Sequence, residues 1–171
     1  FNNDGTKMFV IGSNGDDVDE YTLSTGFDVS TASFVDSFDI SSQELGARDV
    51  AFSDNGLKMF VVGVRGDDVN EYTLSTAFDV STASFVDSFD ISSQDDSPTG
   101  LAFNNDGTKM FVAGNSGNDI NEYTLSTGFD VSTASFVDSF SVASQDTTPN
   151  GLSFNSDGTK MYVVGNQGND I

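Results

Sequence analysis

The sequence contains no cysteine and no histidine, and these absences exclude several kinds of site. Without cysteine the chain has no disulfide and no thiolate nucleophile, and without histidine it has no imidazole metal ligand and no Ser-His-Asp triad. No apolar run approaches the roughly 18 residues that a transmembrane helix needs. Any enzymatic interpretation must also do without histidine, the commonest general base.

Positive charge is scarce, since six Lys and Arg face 27 Asp and Glu, for a net charge of −21. A surface of this sign disfavours nucleic acid as a partner and disfavours membrane insertion. The acidic residues are spread along the chain, which indicates a solvated face. One interpretation is adaptation to salt, as in a halophilic or marine protein, because salt screens the self-repulsion. The other is calcium loading, with the carboxylates as ligands.

What the chain does have is an internal repeat of 51 residues. The segment YTLST, one variable residue and FDVSTASFVDSF begins at Tyr21 and returns unchanged at Tyr72 and Tyr123. Four equivalent segments open at Phe1, Phe52, Phe103 and Phe154. The chain therefore consists of three full repeats, 1–51, 52–102 and 103–153, and a partial fourth, 154–171. No linker or shift in composition divides it, so we expect one structural unit over residues 1–171.

The pattern within one repeat predicts four short strands, which lie within 100–107, 108–114, 120–125 and 135–142. A polar connection, 126–134, separates the last two, and hairpin turns with Gly at a positive-φ position join the others. The first two strands are apolar and the last two more polar. This gradient favours an all-β fold, a β-propeller made of four-stranded antiparallel blades with buried inner strands. A stacked β-solenoid is the structural alternative.

The elements P-x-G-L-x-F-N-x-D-G-T-K-M-[FY]-V-x-G and N-E-Y-T-L-S-T resemble the YVTN-type group of β-propeller repeats. The match covers Pro98 to Gly114 and Pro149 to Gly165, and in reduced form Phe1 to Gly12 and Phe52 to Gly63. The resemblance implies the fold, but related propellers include surface-layer and adhesive proteins, lactonases and plain scaffolds. It therefore does not choose the function.

The number of repeats raises the question of closure, because propellers have four to eight blades and this chain supplies three and part of a fourth. We expect a homodimer that closes a six- or seven-bladed ring, since end-to-end repeat interfaces close when the rotation permits. The alternative is that the chain is a fragment of a longer propeller.

Three groups of residues are candidates for a site. The junctions between repeats vary most, and variable loops on a constant scaffold are where recognition normally lies. The candidate ligand-binding residues there, which drift alone would also explain, are Glu44, Arg48, Asp95, Asp96 and Asp146. Candidate calcium ligands, which could instead be hairpin-turn residues chosen for their backbone angles, are Asp16, Asp17, Asp67, Asp68, Asp119 and Asp170. A repeated glutamate, at Glu20, Glu71 and Glu122, is expected to pair with the repeated Lys7, Lys58 and Lys109, although a catalytic role is the alternative.

The functional prediction is a non-catalytic propeller scaffold or binding module, extracellular or on a virion surface, that binds a glycan or a protein. It rests on symmetry: an enzyme needs residues with unequal roles, whereas near-identical blades repeat the same residues. No catalytic residue and no cofactor are expected, with Ca²⁺ as the alternative to none. The alternative function is a metal-dependent, lactonase-like hydrolase with a carboxylate and Asn site in the central channel.

Overall fold

A computed structural model describes residues 1–167, which form antiparallel sheets and three short 3-10 turns. The first sheet contains β1 (Lys7–Ile11), β2 (Asp17–Leu23) and β3 (Ala32–Asp39). The second contains β4 (Ala47–Phe52), β5 (Lys58–Gly63), β6 (Asp68–Leu74) and β7 (Ala83–Asp90). The third contains β8 (Pro98–Phe103), β9 (Lys109–Gly114), β10 (Asp119–Leu125) and β11 (Ala134–Ser141). A final pair consists of β12 (Pro149–Phe154) and β13 (Met161–Gly165).

Each sheet is a meander in which every strand pairs antiparallel with the next one along the chain. The strands β4, β8 and β12 begin their sheets and contact one another, so they are the inner strands of neighbouring blades. The prediction of four-stranded propeller blades is therefore confirmed. The second, third and last sheets take their inner strands from the end of the preceding repeat, so the blades and the sequence repeats are out of phase.

The burial of the strands follows the predicted gradient. Met59, Phe60, Val61 and Val62 of β5 have no exposed surface, because neighbouring sheets cover both faces of this strand. The outer strand β11 is almost entirely exposed. The apolar core therefore lies between the sheets, and the acidic residues on the outer strands lie in solvent.

The turns between the first two strands of each blade also follow the sequence prediction. Gly5, Gly56, Gly107 and Gly158 have φ between 69° and 71°, a region that suits glycine. In the first three turns the ring of a phenylalanine lies where a Cβ would stand, as Phe27 does over Gly5. Glycine is thus required there both by the backbone angle and by the close aromatic ring.

The connection between the last two strands of each repeat was predicted to be polar, and that prediction was wrong in part. It contains the 3-10 turns Val29–Thr31, Val80–Thr82 and Val131–Thr133. Val80 and Val131 are fully buried, because they pack on the preceding sheet. Sequence periodicity reports the face that a strand presents to its own sheet, and it does not detect a single residue that packs on a neighbour. No helix in the part of the chain that the structure describes is long and apolar enough to cross a membrane.

Candidate functional site

A bulge interrupts the start of every inner strand. In β4 the pairing steps from Ala47 opposite Gly63 to Asp49 opposite Val62, which leaves Arg48 without a partner residue. The same register shift occurs in β8 and β12 and leaves Thr99 and Asn150 unpaired. Bulges redirect side chains and are common beside active sites. Here they direct three different side chains from equivalent positions toward the mouth of the channel.

These side chains line a common cavity of about 460 Å³. A second set of equivalent positions, which follow the second strand of each blade, completes most of the wall with Val64, Asn115 and Asn166. Arg48 and Asn150 are exposed, and no carboxylate within residues 1–167 forms an ion pair with Arg48. Thr99 is buried, and its hydroxyl donates to the carbonyl oxygen of Pro149 at 2.7 Å. The cavity therefore offers one free cation and several amide groups.

Asp49, the residue after Arg48, does not line this cavity, and no carboxylate occupies its position in the other described blades. Its Oδ2 accepts a hydrogen bond from the backbone N–H of Leu101 at 2.9 Å, across the gap between β4 and β8. Its Oδ1 accepts from the N–H of Val50 at 2.9 Å. Burial raises the pKa of Asp49, although both N–H groups act in the opposite direction. Arg48, Asp49 and Asn150 together border a second cavity of about 480 Å³.

Glycine occupies the position of Asp49 in the next two blades, where the inner strands approach most closely. A Cβ on Gly100 would lie 2.8 Å from the Cα of Gly151, too close for any side chain. Between β8 and β12 the backbones therefore meet directly, whereas between β4 and β8 a carboxylate fills the gap. Asp49, Asn115, Asn150 and Asn166 were not predicted as site residues. The signal that could have identified them is that the aligned repeats differ at these positions.

The junction carboxylates predicted to bind a ligand occupy structural positions. Glu44 is buried, and its two oxygens accept from the backbone N–H groups of Arg65 at 3.1 Å and Gly66 at 3.0 Å. Asp95 is also buried and accepts from the N–H of Gly117 at 2.8 Å. These contacts fix each junction to the turn that follows the second strand.

The other two predicted junction carboxylates, Asp96 and Asp146, are less buried. Asp96 is exposed and accepts a hydrogen bond from the hydroxyl of Ser116. Asp146 accepts from the N–H of Thr148 at 2.6 Å and of Gln167 at 3.2 Å. Of the five residues predicted to bind a ligand, Arg48 is the one that lines the cavity, and a binding role for the other four stays a prediction.

The acidic turns predicted as calcium sites carry unusual backbone angles. Asp16 and Asp67 each have φ of 51°, as the hairpin interpretation requires. Asp68 and Asp119 accept hydrogen bonds from the amides of Asn70 and Asn121 at 2.7 and 2.9 Å. Within residues 1–167 no group of three or more acidic side chains is placed to hold a metal ion. Calcium at these turns stays a prediction; Asp17 opens β2, and Asp170 lies outside the described residues.

The channel mouth does not fit a divalent cation either. Calcium takes six to eight oxygen ligands and favours carboxylates. The one carboxylate that borders the cavities, Asp49, already accepts two backbone hydrogen bonds, and the cation of Arg48 lies beside it. No step of the chemistry proposed below passes through a metal.

The expected pairing of the repeated glutamates is confirmed. Lys7 and Glu20 lie 2.6 Å apart, as do Lys58 and Glu71, and Lys109 and Glu122 lie 2.5 Å apart. The first two glutamates are only 2% exposed, so these are not exposed surface ion pairs, which contribute little to stability. They belong to the joints between blades and not to the channel.

Several solved structures share this fold at low sequence identity. A candidate 6-phosphogluconolactonase from Bacteroides uniformis matches with a TM-score of 0.67 and 13% identity, over 95% of this chain and 45% of that one. The periplasmic gluconolactonase PpgL of Pseudomonas aeruginosa gives 0.54 and 16%, over 82% and 37%. The β-propeller domain of Cps50 (Swd1) from Myceliophteria thermophila gives 0.55 and 13%, over 92% and 49%. The chain thus spans less than half the length of each of these structures.

No protein-family model matches the sequence, and no curated protein matches it. Identities this low show the fold alone, so the comparisons establish a β-propeller without showing the YVTN-type family.

The comparisons correct the functional prediction. The sequence favoured a non-catalytic scaffold, whereas similar folds include proteins named as lactonases, which supports the alternative. The error has a physical origin. The symmetry argument assumed that blades are equal everywhere, but the residues at the channel mouth, among them Arg48, Thr99 and Asn150, differ from blade to blade.

Proposed function

We propose that this chain is part of a YVTN-type propeller that hydrolyses sugar lactones at its channel mouth. One observation carries the proposal: equivalent bulges bring unequal side chains, Arg48, Thr99 and Asn150, to one cavity. Binding and catalysis need groups with different roles, and this is a place where near-identical blades supply them. The cavity, at about 460 Å³, is within the range of small-molecule sites.

The groups in the cavity suit a polyhydroxylated substrate that becomes anionic. The amides of Asn115, Asn150 and Asn166 can each donate to and accept from sugar hydroxyls. Arg48 presents a planar cation that recognises a carboxylate or phosphate through paired N–H donors. The product of lactone hydrolysis is a hydroxy acid, so negative charge develops where the guanidinium lies.

In this reaction Asp49 is the general base and Arg48 stabilises the oxyanion. Asp49 accepts a proton from a water molecule as the water oxygen attacks the lactone carbonyl carbon. Arg48 donates hydrogen bonds to the oxyanion that forms, which is the electrostatic contribution that such sites commonly make. The carbonyl then re-forms, the ring C–O bond breaks, and the leaving oxygen takes the proton from Asp49. The product is the open hydroxy acid, whose carboxylic acid group then loses its proton to solvent and leaves a carboxylate beside Arg48.

The raised pKa of Asp49 suits this role. A general base works best when its pKa approaches the working pH, and burial moves Asp49 in that direction. Its two backbone hydrogen bonds hold the carboxylate in place and leave lone pairs free to accept a proton.

The test is hydrolysis of glucono-δ-lactone, followed by acid release in a weakly buffered indicator assay with spontaneous hydrolysis subtracted. We expect Arg48→Ala and Asp49→Asn each to lower kcat/KM by roughly 100-fold. Arg65→Ala is the matched control, because Arg65 is the other arginine, is exposed and does not line the cavity. A wild-type rate equal to the spontaneous rate, or equal losses in Arg48→Ala and Arg65→Ala, would overturn the proposal.

A further inference from the structure

The joint between the first and second sheets is built from one short segment. Phe78 packs against Phe9 and Phe52, with ring centroids 6.3 and 5.7 Å apart. The ammonium of Lys7 donates to the carbonyl oxygen of Phe78 at 2.7 Å. The backbone N–H of Val80 donates to Glu20 at 3.0 Å. Residues 78–80 therefore insert into a receptor to which the preceding sheet contributes one ring and two charged groups, and β4 of their own sheet contributes Phe52.

The second and third sheets form the same joint again. Phe129 packs against Phe60 and Phe103 at 6.1 and 5.6 Å. Lys58 donates to the carbonyl oxygen of Phe129 at 2.6 Å. Glu71 accepts from the N–H of Val131 at 2.9 Å. The same contacts therefore form at both of these blade interfaces.

A third receptor of the same kind is open between the third sheet, which supplies Phe111, and β12, which supplies Phe154. Phe111 and Phe154 pack at 4.6 Å, as the corresponding pairs do in the two joints, but no third ring within residues 1–167 lies against them. Lys109 and Glu122 are 47% and 30% exposed, whereas Lys58 and Glu71 are 30% and 2% exposed. These four residues, Lys109, Phe111, Glu122 and Phe154, border a cavity of about 780 Å³, and we call them the socket.

The matching segment is exposed on the first sheet. Phe27 and Val29 are 63% and 61% exposed, whereas Val80 and Val131, the equivalents of Val29, are fully buried. Phe78 and Phe129, the equivalents of Phe27, are half-buried. Residues 27–29, here called the plug, have the sequence Phe-Asp-Val that both formed joints use. Phe27 already has φ of 61°, beside 56° and 60° for the two inserted phenylalanines. The plug thus already has its inserted conformation, with the ring of Phe27 5.5 Å from that of Phe1.

We propose that the socket receives the plug of a second copy of this chain. The carbonyl oxygen of Phe27 then meets the ammonium of Lys109, and the N–H of Val29 meets Glu122, which reproduces both formed joints. The occupant is a second copy because socket and plug lie at opposite ends of one arc, and a chain cannot fill its own socket at the separation of three blades. The proposal concerns assembly and does not depend on hydrolysis.

The exchange of one strand completes the blades. Within residues 1–167 the first sheet has β1, β2 and β3 but no inner strand, whereas β12 is an inner strand paired with β13 alone. The position of β13 in its blade is that of β1 in the first sheet, so the β1 of a docked second copy takes the place of β13, which has to leave β12. Paired with β12, that β1 completes a four-stranded blade. Each copy supplies the three inner strands β4, β8 and β12, so two copies close a ring of six blades.

Light scattering after gel filtration in high salt tests the assembly. We expect a mass of twice 18.1 kDa that stays constant as the concentration rises. Phe27→Asp buries an unpaired charge in the socket and should raise the dimer dissociation constant by more than roughly 100-fold. The matched control is Phe34→Asp, because Phe34 is 57% exposed and lies on the outer strand β3, away from the plug.

A second pair of variants tests the socket. Lys109→Glu places two carboxylates together and removes the donor for the incoming carbonyl, so we expect monomers. Lys160→Glu makes the same charge change at an exposed lysine outside the socket and should leave the dimer intact. Circular dichroism shows whether each variant keeps its strands.

The outcomes are distinct. A wild-type mass of 18.1 kDa, a dimer that survives Phe27→Asp, or a mass that keeps rising with concentration would overturn the proposal. A dimer without lactone hydrolysis would overturn the proposed function and leave the assembly standing. Hydrolysis by a monomer would do the reverse.

Discussion

At the joints between blades the residues are the same from repeat to repeat, whereas at the mouth of the channel they differ. At the joints the chain uses the same residues in each copy, so Lys58, Glu71 and Phe129 reproduce the contacts of Lys7, Glu20 and Phe78. At the channel mouth equivalent positions carry arginine, threonine and asparagine. Packing one blade on the next requires one fixed geometry, whereas the channel side faces solvent and tolerates change. The contacts between blades therefore rest on repeated residues, whereas the residues at the channel mouth are unequal.

The largest effect on stability should come from removing a buried aromatic side chain from a joint. Phe60 is fully buried between Phe103 and Phe129, so Phe60→Ala should lower the free energy of unfolding by about 3–5 kcal/mol. Phe136→Ala, on an outer strand where the ring is 45% exposed, should cost less than about 1 kcal/mol. Urea unfolding followed by circular dichroism measures both. Equal losses would show that the joints are not where the stability resides.

A smaller effect should separate two equivalent glutamates. Glu71 is buried in a formed joint and accepts from both Lys58 and Val131, so Glu71→Ala should cost about 2–3 kcal/mol. Glu122→Ala removes the same side chain from the open socket and should cost less than about 1 kcal/mol in the monomer. Unfolding of both variants at low protein concentration, where dimers dissociate, gives the comparison. A larger loss for Glu122→Ala would contradict the difference between a filled and an open joint.

How far the sequence predicts this molecule differs between the same two regions. The repeat and its alternation predict the strands well, and the strand expected within 108–114 is observed as β9, Lys109–Gly114. Of the residues at the channel mouth, Arg48 was predicted, whereas Thr99 and Asn150 were missed, because the direction of these side chains depends on a bulge in each inner strand. In an uninterrupted strand, neighbouring residues such as Arg48 and Asp49 would point to opposite faces. A bulge follows from the pairing register with the next strand, which the local pattern does not encode.

The joints were partly missed for a related reason. Phe129 and Val131 stand in a stretch of Ser, Thr, Asp and Gly that predicts a solvated loop. Their partners, Phe60 and Glu71, lie in the preceding blade. The exact recurrence of Phe-Asp-Val in all three repeats was the available signal that this loop packs against something.

The smallest expected effect concerns the pH dependence of Asp49. Its folded-state pKa is raised by burial, so the carboxylate destabilises the fold once it ionises. The folded state then holds the proton more tightly than the unfolded chain does. The free energy of unfolding should therefore fall as pH rises from the ordinary aspartate value, about 3.9, through the raised one.

Thermal unfolding between about pH 4 and 7 measures this decline against Asp49→Asn, which removes the titrating group. The wild-type curve should fall relative to that of the variant, by about 1 kcal/mol for each unit that the pKa is raised. Hydrolysis should rise over the same pH interval, because the ionised form is the base. Parallel stability curves for the two proteins would contradict a raised pKa at this site.

The central claim is that the repeated joints hold the fold and the unequal channel residues perform the reaction. Its most direct test is Arg48→Thr, which gives the first of these inner strands the residue that the next one already has. We measure the free energy of unfolding and the rate of glucono-δ-lactone hydrolysis on the same preparation. The account predicts unchanged stability, within about 0.5 kcal/mol, and a loss of activity of roughly 100-fold. Retained hydrolysis, or a loss of activity matched by a loss of stability, would contradict it.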